Sequence, residues 1–108
     1  MVASPLGYPT NDLTHVEAQV NLVNVGNAQI LTIPGEALPN IGFFLKRKMS
    51  GEHNFLFGLT NDAFGYILTQ VDFASFPAYR YISRVSLGEM TGEIYMRAAL
   101  GLIQETKR

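Results

Sequence analysis

Cysteine is absent from the 108 residues, which excludes disulfides, thiolate zinc sites and a thiol nucleophile. Charged residues make up only 16% of the chain, and the formal net charge is −1 at pH 7. This balance provides no basic field for nucleic acid or an anionic membrane, so neither is an expected partner. Because nothing in the composition favours an oxidising compartment, a cytoplasmic location is the default expectation.

Long apolar runs and common catalytic motifs are also missing. Phe55–Leu59 is far too short to span a bilayer, and residues 1–10 lack the basic and apolar segments of a signal peptide. There is no G-x-S-x-G, no H-E-x-x-H and no glycine-rich phosphate loop before a helix. The two histidines, His15 and His53, are interpreted as ordinary surface residues rather than metal ligands, given their places on a polar strand face and in a connection.

The sequence does contain enough apolar residues, 47%, to bury the core of one domain. Residues 1–13 are rich in proline, glycine and asparagine, which predicts a leader arm or loop. Residues 14–108 then account for a single domain. We expect a soluble α+β fold in which a small mixed sheet packs against two main helices.

Periodicity predicts the order of the elements. Strict alternation over Val16–Leu22 and a β-rich run over Ala28–Ile33 predict an antiparallel hairpin with a turn at residues 24–27. Helical spacing then predicts a helix over Leu38–Met49, with three cations in its last turn. Phe55–Leu59 is apolar on both faces, which is typical of a central strand covered on both sides. The strand–helix–strand order predicts that this strand runs parallel to the second one.

A second helix is expected over Glu93–Gln104, with Thr91 as its N-cap. Its apolar face is formed by Ile94, Ala98 and Leu102, with Tyr95 and Ile103 beside them. The preceding segment, residues 72–81, is aromatic and contains a proline, so we expect it to be irregular.

Two loops carry residues that could perform chemistry. Glu36 follows a predicted strand through Pro34-Gly35, and Asn61, Asp62 and Tyr66 follow the predicted parallel strand. Loops after parallel strands open at one edge of a sheet, so a carboxylate, an amide and a phenol would lie side by side there. Each residue type also has a purely structural explanation. Glutamate is favourable in the first turn of a helix because it compensates the helix dipole. Asparagine and aspartate commonly stabilise turns, and a tyrosine ring can simply pack against the rest of the domain.

Three short motifs resemble the neutral/alkaline ceramidase family. Ile30–Ile33 followed by Pro34-Gly35-Glu36 resembles the family's P-G-E motif, and residues 58–69 resemble its G-L-[ST]-N run with a following tyrosine. Tyr81 followed by Ser86-Leu87-Gly88 resembles a later motif. The three motifs occur in the family's order and span roughly residues 16–105, in the closing part of the family's catalytic domain.

The resemblance implies a zinc amidase that cleaves the amide between a fatty acid and a sphingoid base. It implies that Glu36 and Tyr66 match zinc ligands and that Tyr81 matches a tyrosine that hydrogen-bonds the substrate amide. Carboxylate and phenolate oxygens, together with imidazole, form a reasonable zinc site, which would polarise the amide carbonyl and lower the pKa of bound water.

The family's zinc-binding and catalytic histidines lie upstream of these motifs, and neither His15 nor His53 falls in such a motif. Ile82 also stands where the family has glutamate after the last motif tyrosine. Two ligands do not hold catalytic zinc, which usually takes three from the protein. Three interpretations remain open. The chain is a subunit completed by a histidine-bearing partner, a segment of a longer enzyme, or a non-catalytic binding and assembly domain.

The absence of the family's upstream, histidine-bearing part predicts that copies of this chain associate with each other. A ceramidase-like segment without its upstream part would expose Phe43 or Phe44 and some of the aromatic residues at positions 73, 76 and 79. Few charges are available to cover such a patch, and monomers rarely leave large apolar patches open. We therefore expect a homo-oligomer, most simply a two-fold dimer, unless the leader arm covers the patch.

Overall fold

The computed structural model describes residues 17–106, which form five strands, three α-helices and one 3-10 turn. The predicted leader arm and His15 lie outside the described residues. The strands are β1 (Leu22–Val25), β2 (Ala28–Thr32), β3 (Glu36–Ala37), β4 (His53–Phe57) and β5 (Tyr66–Ile67). The helices are α1 (Pro39–Lys48), α2 (Arg80–Arg84) and α3 (Thr91–Glu105), with the 3-10 turn at Pro77–Tyr79.

The predicted hairpin is present, but its first strand is shifted along the chain. β1 pairs antiparallel with β2, and Val25 lies opposite Ala28 across the turn at Gly26-Asn27. This two-residue turn sets the register, so the strand occupies Leu22–Val25. Of the predicted strand Val16–Leu22, only Leu22 is in β1, and Val16 lies outside the described residues. Residues 17–21 continue without strand pairing, although the Asn21 carbonyl accepts a 2.9 Å bond from the Thr32 amide.

The predicted parallel crossover is also present: α1 connects β2 to β4, and these strands pair in parallel with Ile30 opposite Phe55. The sheet order β1-β2-β4 makes β4 an edge strand, so the expectation of a central strand covered on both faces is wrong. Phe55 and Phe57 are 46% and 48% exposed. Their face of the sheet is not packed against either main helix.

The hydrophobic core lies on the opposite face, where α1 and α3 cover the sheet. Leu22, Leu31 and Leu56 are cross-strand neighbours there. The buried cluster also takes members from both helices and their caps, from β5 and from the residue after β2: Ile33, Ile41, Leu45, Met49, Ile67, Tyr95, Ala99 and Ile103. The apolar spacing that predicted α1 is confirmed, since its buried residues Ile41 and Leu45 belong to this cluster.

The C-terminal helix is confirmed, but its start and its buried face differ from the prediction. Thr91 is its first residue and Met90 is the N-cap, which makes no side-chain capping bond. Of the residues predicted for its apolar face, Tyr95 and Ile103 are buried, whereas Ile94 and Ala98 are exposed and Ala99 is buried instead. Gly92 packs so tightly against the Leu68 backbone that it fixes the rotation of the helix. The segment before it, expected to be irregular, contains the 3-10 turn and α2.

The architecture is therefore α+β, with a three-stranded mixed sheet covered on one face by α1 and α3, and a separate two-stranded sheet of β3 and β5. Among residues 17–106, no helix has both the length and the apolar character needed to span a membrane.

Candidate functional site

Glu36 and Tyr66 are directly paired in the two-stranded sheet. β3 and β5 run parallel, and Glu36 lies opposite Tyr66 as Ala37 lies opposite Ile67. β3 follows β2 through the Pro34-Gly35 turn, and β5 follows β4 through the loop at residues 58–65. The expected meeting of the carboxylate and the phenol at one edge thus arises because both connections leave neighbouring parallel strands. Glu36 is in a strand ahead of α1, so a role in the first turn of that helix is excluded.

Backbone hydrogen bonds join the two connections into one unit. The Glu36 amide donates to the Gly65 carbonyl at 2.9 Å, and the Phe64 amide donates to the Pro34 carbonyl at 2.8 Å. The Leu59 amide donates to the Gly35 carbonyl at 3.0 Å. A side chain at position 35 would collide with the Gly65 carbonyl oxygen, so the close approach of the two connections requires glycine there.

Tyr81 lies beside Tyr66. Its ring centroid is 6.4 Å from that of Tyr66, and the two ring planes meet at 69°, an edge-to-face arrangement. Tyr81 is carried by α2 and is 64% exposed. The connection after α2 also supports β5, because Tyr66 forms a parallel bridge with the buried Ser86. The structure therefore brings together Glu36, Tyr66 and Tyr81, three of the residues singled out from the sequence.

The polar groups of these three residues are available for a ligand. Within residues 17–106, the structure gives no hydrogen bond or ion pair to the Glu36 carboxylate, the Tyr66 hydroxyl or the Tyr81 hydroxyl. Several other carboxylates are engaged: Glu52 with Asn27, Asp72 with Asn40, and Glu93 with the Gln70 amide. Glu36 is also exposed and Tyr66 is half-buried, so both oxygens can be approached from outside.

Asn61 has a local structural partner. Its side-chain amide donates to the Asn21 side-chain oxygen at 2.7 Å, which ties its loop to the segment before β1. Its φ of 74° is in the left-handed region, which asparagine tolerates better than most residues. The neighbouring Asp62 accepts a 3.0 Å bond from the Ala63 amide, as a turn-forming aspartate does.

No third metal ligand accompanies the pair in the described structure. His53 is the exposed first residue of β4 rather than part of a connection, and no group of three or more His, Cys, Asp or Glu residues within positions 17–106 could hold a metal ion. Glu36 and Tyr66 could supply two oxygen ligands to zinc, which fits part of a zinc site and leaves it incomplete.

Tyr95 holds in place the end of the strand that precedes Glu36, and the sequence contained no signal for this role. Its hydroxyl donates a 3.0 Å hydrogen bond to the carbonyl of Thr32, the last residue of β2. It thereby links α3 to the strand that leads into the Pro34-Gly35-Glu36 turn. Burial of the ring raises the pKa of Tyr95 well above its usual value, because the ionised form would lose its hydration.

Replacement of Tyr95 by phenylalanine is expected to destabilise the fold by about 1 kcal/mol at pH 7, through loss of this hydrogen bond. The deficit should disappear at high pH. An unfolded tyrosine ionises near pH 10, so the contribution of a tyrosine kept neutral is complete below pH 10 and declines above it by up to about 1.4 kcal/mol per pH unit. Urea unfolding of both proteins between pH 7 and 11 measures the difference. Tyr81→Phe, at an exposed ring, should follow the wild type, and a deficit for Tyr95→Phe that persists to pH 11 would contradict the prediction.

Comparison with known proteins adds no further assignment: no protein-family model, no curated protein and no solved structure matches the chain.

Proposed function

We propose that this chain supplies part of the active site of a zinc amidohydrolase of the neutral ceramidase type, which hydrolyses N-acyl amides. The observation that carries the proposal is the pairing of Glu36 with Tyr66 on adjacent parallel strands, with both oxygens free and Tyr81 in contact. The three positions belong to three separate sequence motifs, up to 45 residues apart along the chain (36 to 81). A cytoplasmic location remains part of this proposal.

Each residue has a distinct part in the proposed site. The Glu36 carboxylate and the Tyr66 phenol oxygen would hold zinc together with histidines from a partner chain or from another part of a longer chain. Zinc bound there would polarise the substrate carbonyl and lower the pKa of a bound water. Tyr81, on its own helix and exposed, would donate a hydrogen bond to the substrate amide. Because a catalytic zinc usually takes three protein ligands, the described residues alone do not form a catalyst.

The isolated chain is therefore expected to bind zinc weakly or not at all. Isothermal titration of zinc into about 100 μM protein should give no saturable heat, because two oxygen ligands leave zinc mostly hydrated. Tight, stoichiometric binding would contradict the two-ligand site and would require His15, His53 or a second copy as further ligands.

Free imidazole can stand in for the missing histidines in a direct test of the pair. With Co²⁺ and excess imidazole, paramagnetic broadening of amide NMR signals should centre on β3 and β5. Glu36→Gln and Tyr66→Phe should each abolish this broadening, because each removes one of only two protein ligands. Glu52→Gln and Tyr79→Phe change the same residue types elsewhere and should leave it intact. Broadening centred on His53, or broadening that survives Glu36→Gln, would refute the metal assignment.

The catalytic half of the proposal needs the assembled protein. A tagged copy of the chain, purified with its natural partners, should bring down zinc and hydrolyse a fluorogenic N-acyl amide. Glu36→Gln in that assembly should lower kcat/KM at least about a hundredfold through loss of metal. Tyr81→Phe should lower the rate while leaving the zinc content unchanged, because its role is toward the substrate.

A non-catalytic binding and assembly domain is the second candidate function, and a different observation favours it. One face of the three-stranded sheet presents exposed apolar side chains. A purified assembly that contains neither zinc nor amidase activity would support this function over the enzyme.

A further inference from the structure

The open face of the three-stranded sheet is a continuous apolar surface. Cross-strand register places Val23 beside Ile30 and Ile30 beside Phe55, with Val25 and Phe57 two residues along their strands. We call these five residues the open face. Val23 and Val25 are 45% and 58% exposed, and Phe55 and Phe57 are 46% and 48% exposed. The Phe55 and Phe57 rings are in mutual contact, with their centroids 6.4 Å apart.

Charge is absent from the strand positions that point to this face. The remaining positions with the same orientation are Ala28, Thr32 and His53. A solvated sheet face usually alternates apolar residues inside with polar residues outside, and β4 reverses this by turning phenylalanines outward. An edge strand is also commonly protected by charge or proline, and His53–Phe57 contains no lysine, arginine, acid or proline.

We infer that the open face is an interface between two copies of this chain, packed sheet against sheet. The strand order β1-β2-β4 makes the face self-complementary. A two-fold axis parallel to the strands and midway between the sheets reverses the order, so β1 of one copy lies over β4 of the other. Residues at the same height along the strands then face each other, so Val23 of each copy meets Phe55 of its partner, a small side chain against a large one, and Val25 meets His53. Aligned packing at about 10 Å is the usual geometry for two such sheets.

The area available sets the strength of this dimer. Phenylalanine side chains bury roughly 150–250 Å² each when covered, so the half-exposed members of the open face present roughly 400 Å² per copy. Two copies would bury about 800 Å², below the 1,200–2,000 Å² of stable interfaces. The dimer is therefore weak and concentration-dependent, with a dissociation constant of about 10–100 μM.

Sedimentation equilibrium between about 5 and 500 μM tests the interface. The wild-type mass should rise from the monomer value of 11.9 kDa toward twice that value. Phe55→Thr/Phe57→Thr keeps strand-forming residues and should shift the association at least tenfold higher in concentration. Phe43→Gln removes a phenylalanine that is 62% exposed on α1 and should dimerise as the wild type does. A monomer at every concentration would overturn the inference and leave the face to residues 1–16 or to another chain. Loss of the dimer in Phe43→Gln would also overturn it.

Spin labelling tests the orientation without altering the open face. Because the chain contains no cysteine, Glu52→Cys provides a single attachment point next to the start of β4. Mixed with isotope-labelled wild-type protein, the label should broaden the partner's amides near Val25. Broadening near Phe57 would indicate the other two-fold axis, perpendicular to the strands, and would overturn the proposed packing.

Discussion

Gly92→Ala is expected to lower the free energy of unfolding by about 3 kcal/mol, near the upper end for overpacking, and to lower Tm by about 15 °C. A Cβ atom at position 92 would overlap the carbonyl group of Leu68 and approach the Thr69 amide nitrogen within 3.2 Å. These are backbone atoms, so no side-chain rotation can relieve the overlap. The first turn of α3 would have to move away from the segment that follows β5, although Tyr95 and Ala99 hold that helix in the core.

Gly101→Ala is the matched control in the same helix. A Cβ atom there would meet nothing within 4 Å, and alanine has the higher helix propensity. We expect Gly101→Ala to stabilise the protein by about 0.5–1 kcal/mol. Urea denaturation of the two variants measures both values. Equal effects in the two variants would show that the contact between Gly92 and Leu68 does not determine how α3 docks.

Gly35→Ala is expected to cost about 2–3 kcal/mol and to separate the proposed ligands from each other. The added Cβ would strike the Gly65 carbonyl oxygen, the same atom that accepts the Glu36 amide hydrogen bond. It would also lie 3.2 Å from the Ile67 Cδ1 atom, inside the core. Relief of this overlap requires β3 and β5 to part, so Glu36 would no longer lie opposite Tyr66.

Two measurements distinguish this local effect from general destabilisation. Hydrogen exchange at the Glu36 amide should accelerate far more than exchange in β2, and the Co²⁺ and imidazole broadening of β3 and β5 should vanish under conditions where the protein stays folded. Gly42→Ala is the control, since a Cβ atom there would lie 3.4 Å from the end of the Leu56 side chain, an ordinary contact. An unchanged Glu36 amide in Gly35→Ala would contradict the close-approach argument.

The secondary structure was predictable wherever local periodicity was strong. The spacing of Ile41, Leu45 and Met49 predicted α1, because a helix must turn one apolar stripe toward the core. The hairpin was predictable in kind but shifted in position, because alternation continues along the chain past the point where the partner strand ends. Only the two-residue turn at Gly26-Asn27 sets where pairing begins.

The position of β4 in the sheet could not be predicted, because apolar residues on both faces of a strand do not indicate what covers each face. Leu56 is covered by its own chain, whereas Phe55 and Phe57 remain half-exposed. The rotation of α3 was predictable only in part, since it also depends on the long-range contact between Gly92 and Leu68.

The meeting of Glu36 and Tyr66 was predictable from topology, since both follow neighbouring parallel strands. The separate two-stranded sheet that aligns them was not, because it arises from the close approach of Gly35 to Gly65. The contribution of Tyr95 could not be predicted either, because nothing in the local sequence of a helix indicates which distant carbonyl a tyrosine hydroxyl will bond to.

The pairing of β5 with segments on both sides of it has a consequence for synthesis of the chain. Tyr66 pairs with Glu36 on one side and with Ser86 on the other. The Thr32 carbonyl accepts its hydrogen bond from Tyr95, which is synthesised later still. A nascent chain can close the β1–β2 hairpin early, because its contacts are local, but the hydrogen bond from Tyr95 to the Thr32 carbonyl cannot form until α3 has left the ribosome. At about 5–20 residues per second, a growing chain therefore contains Thr32 for several seconds before Tyr95 has been synthesised.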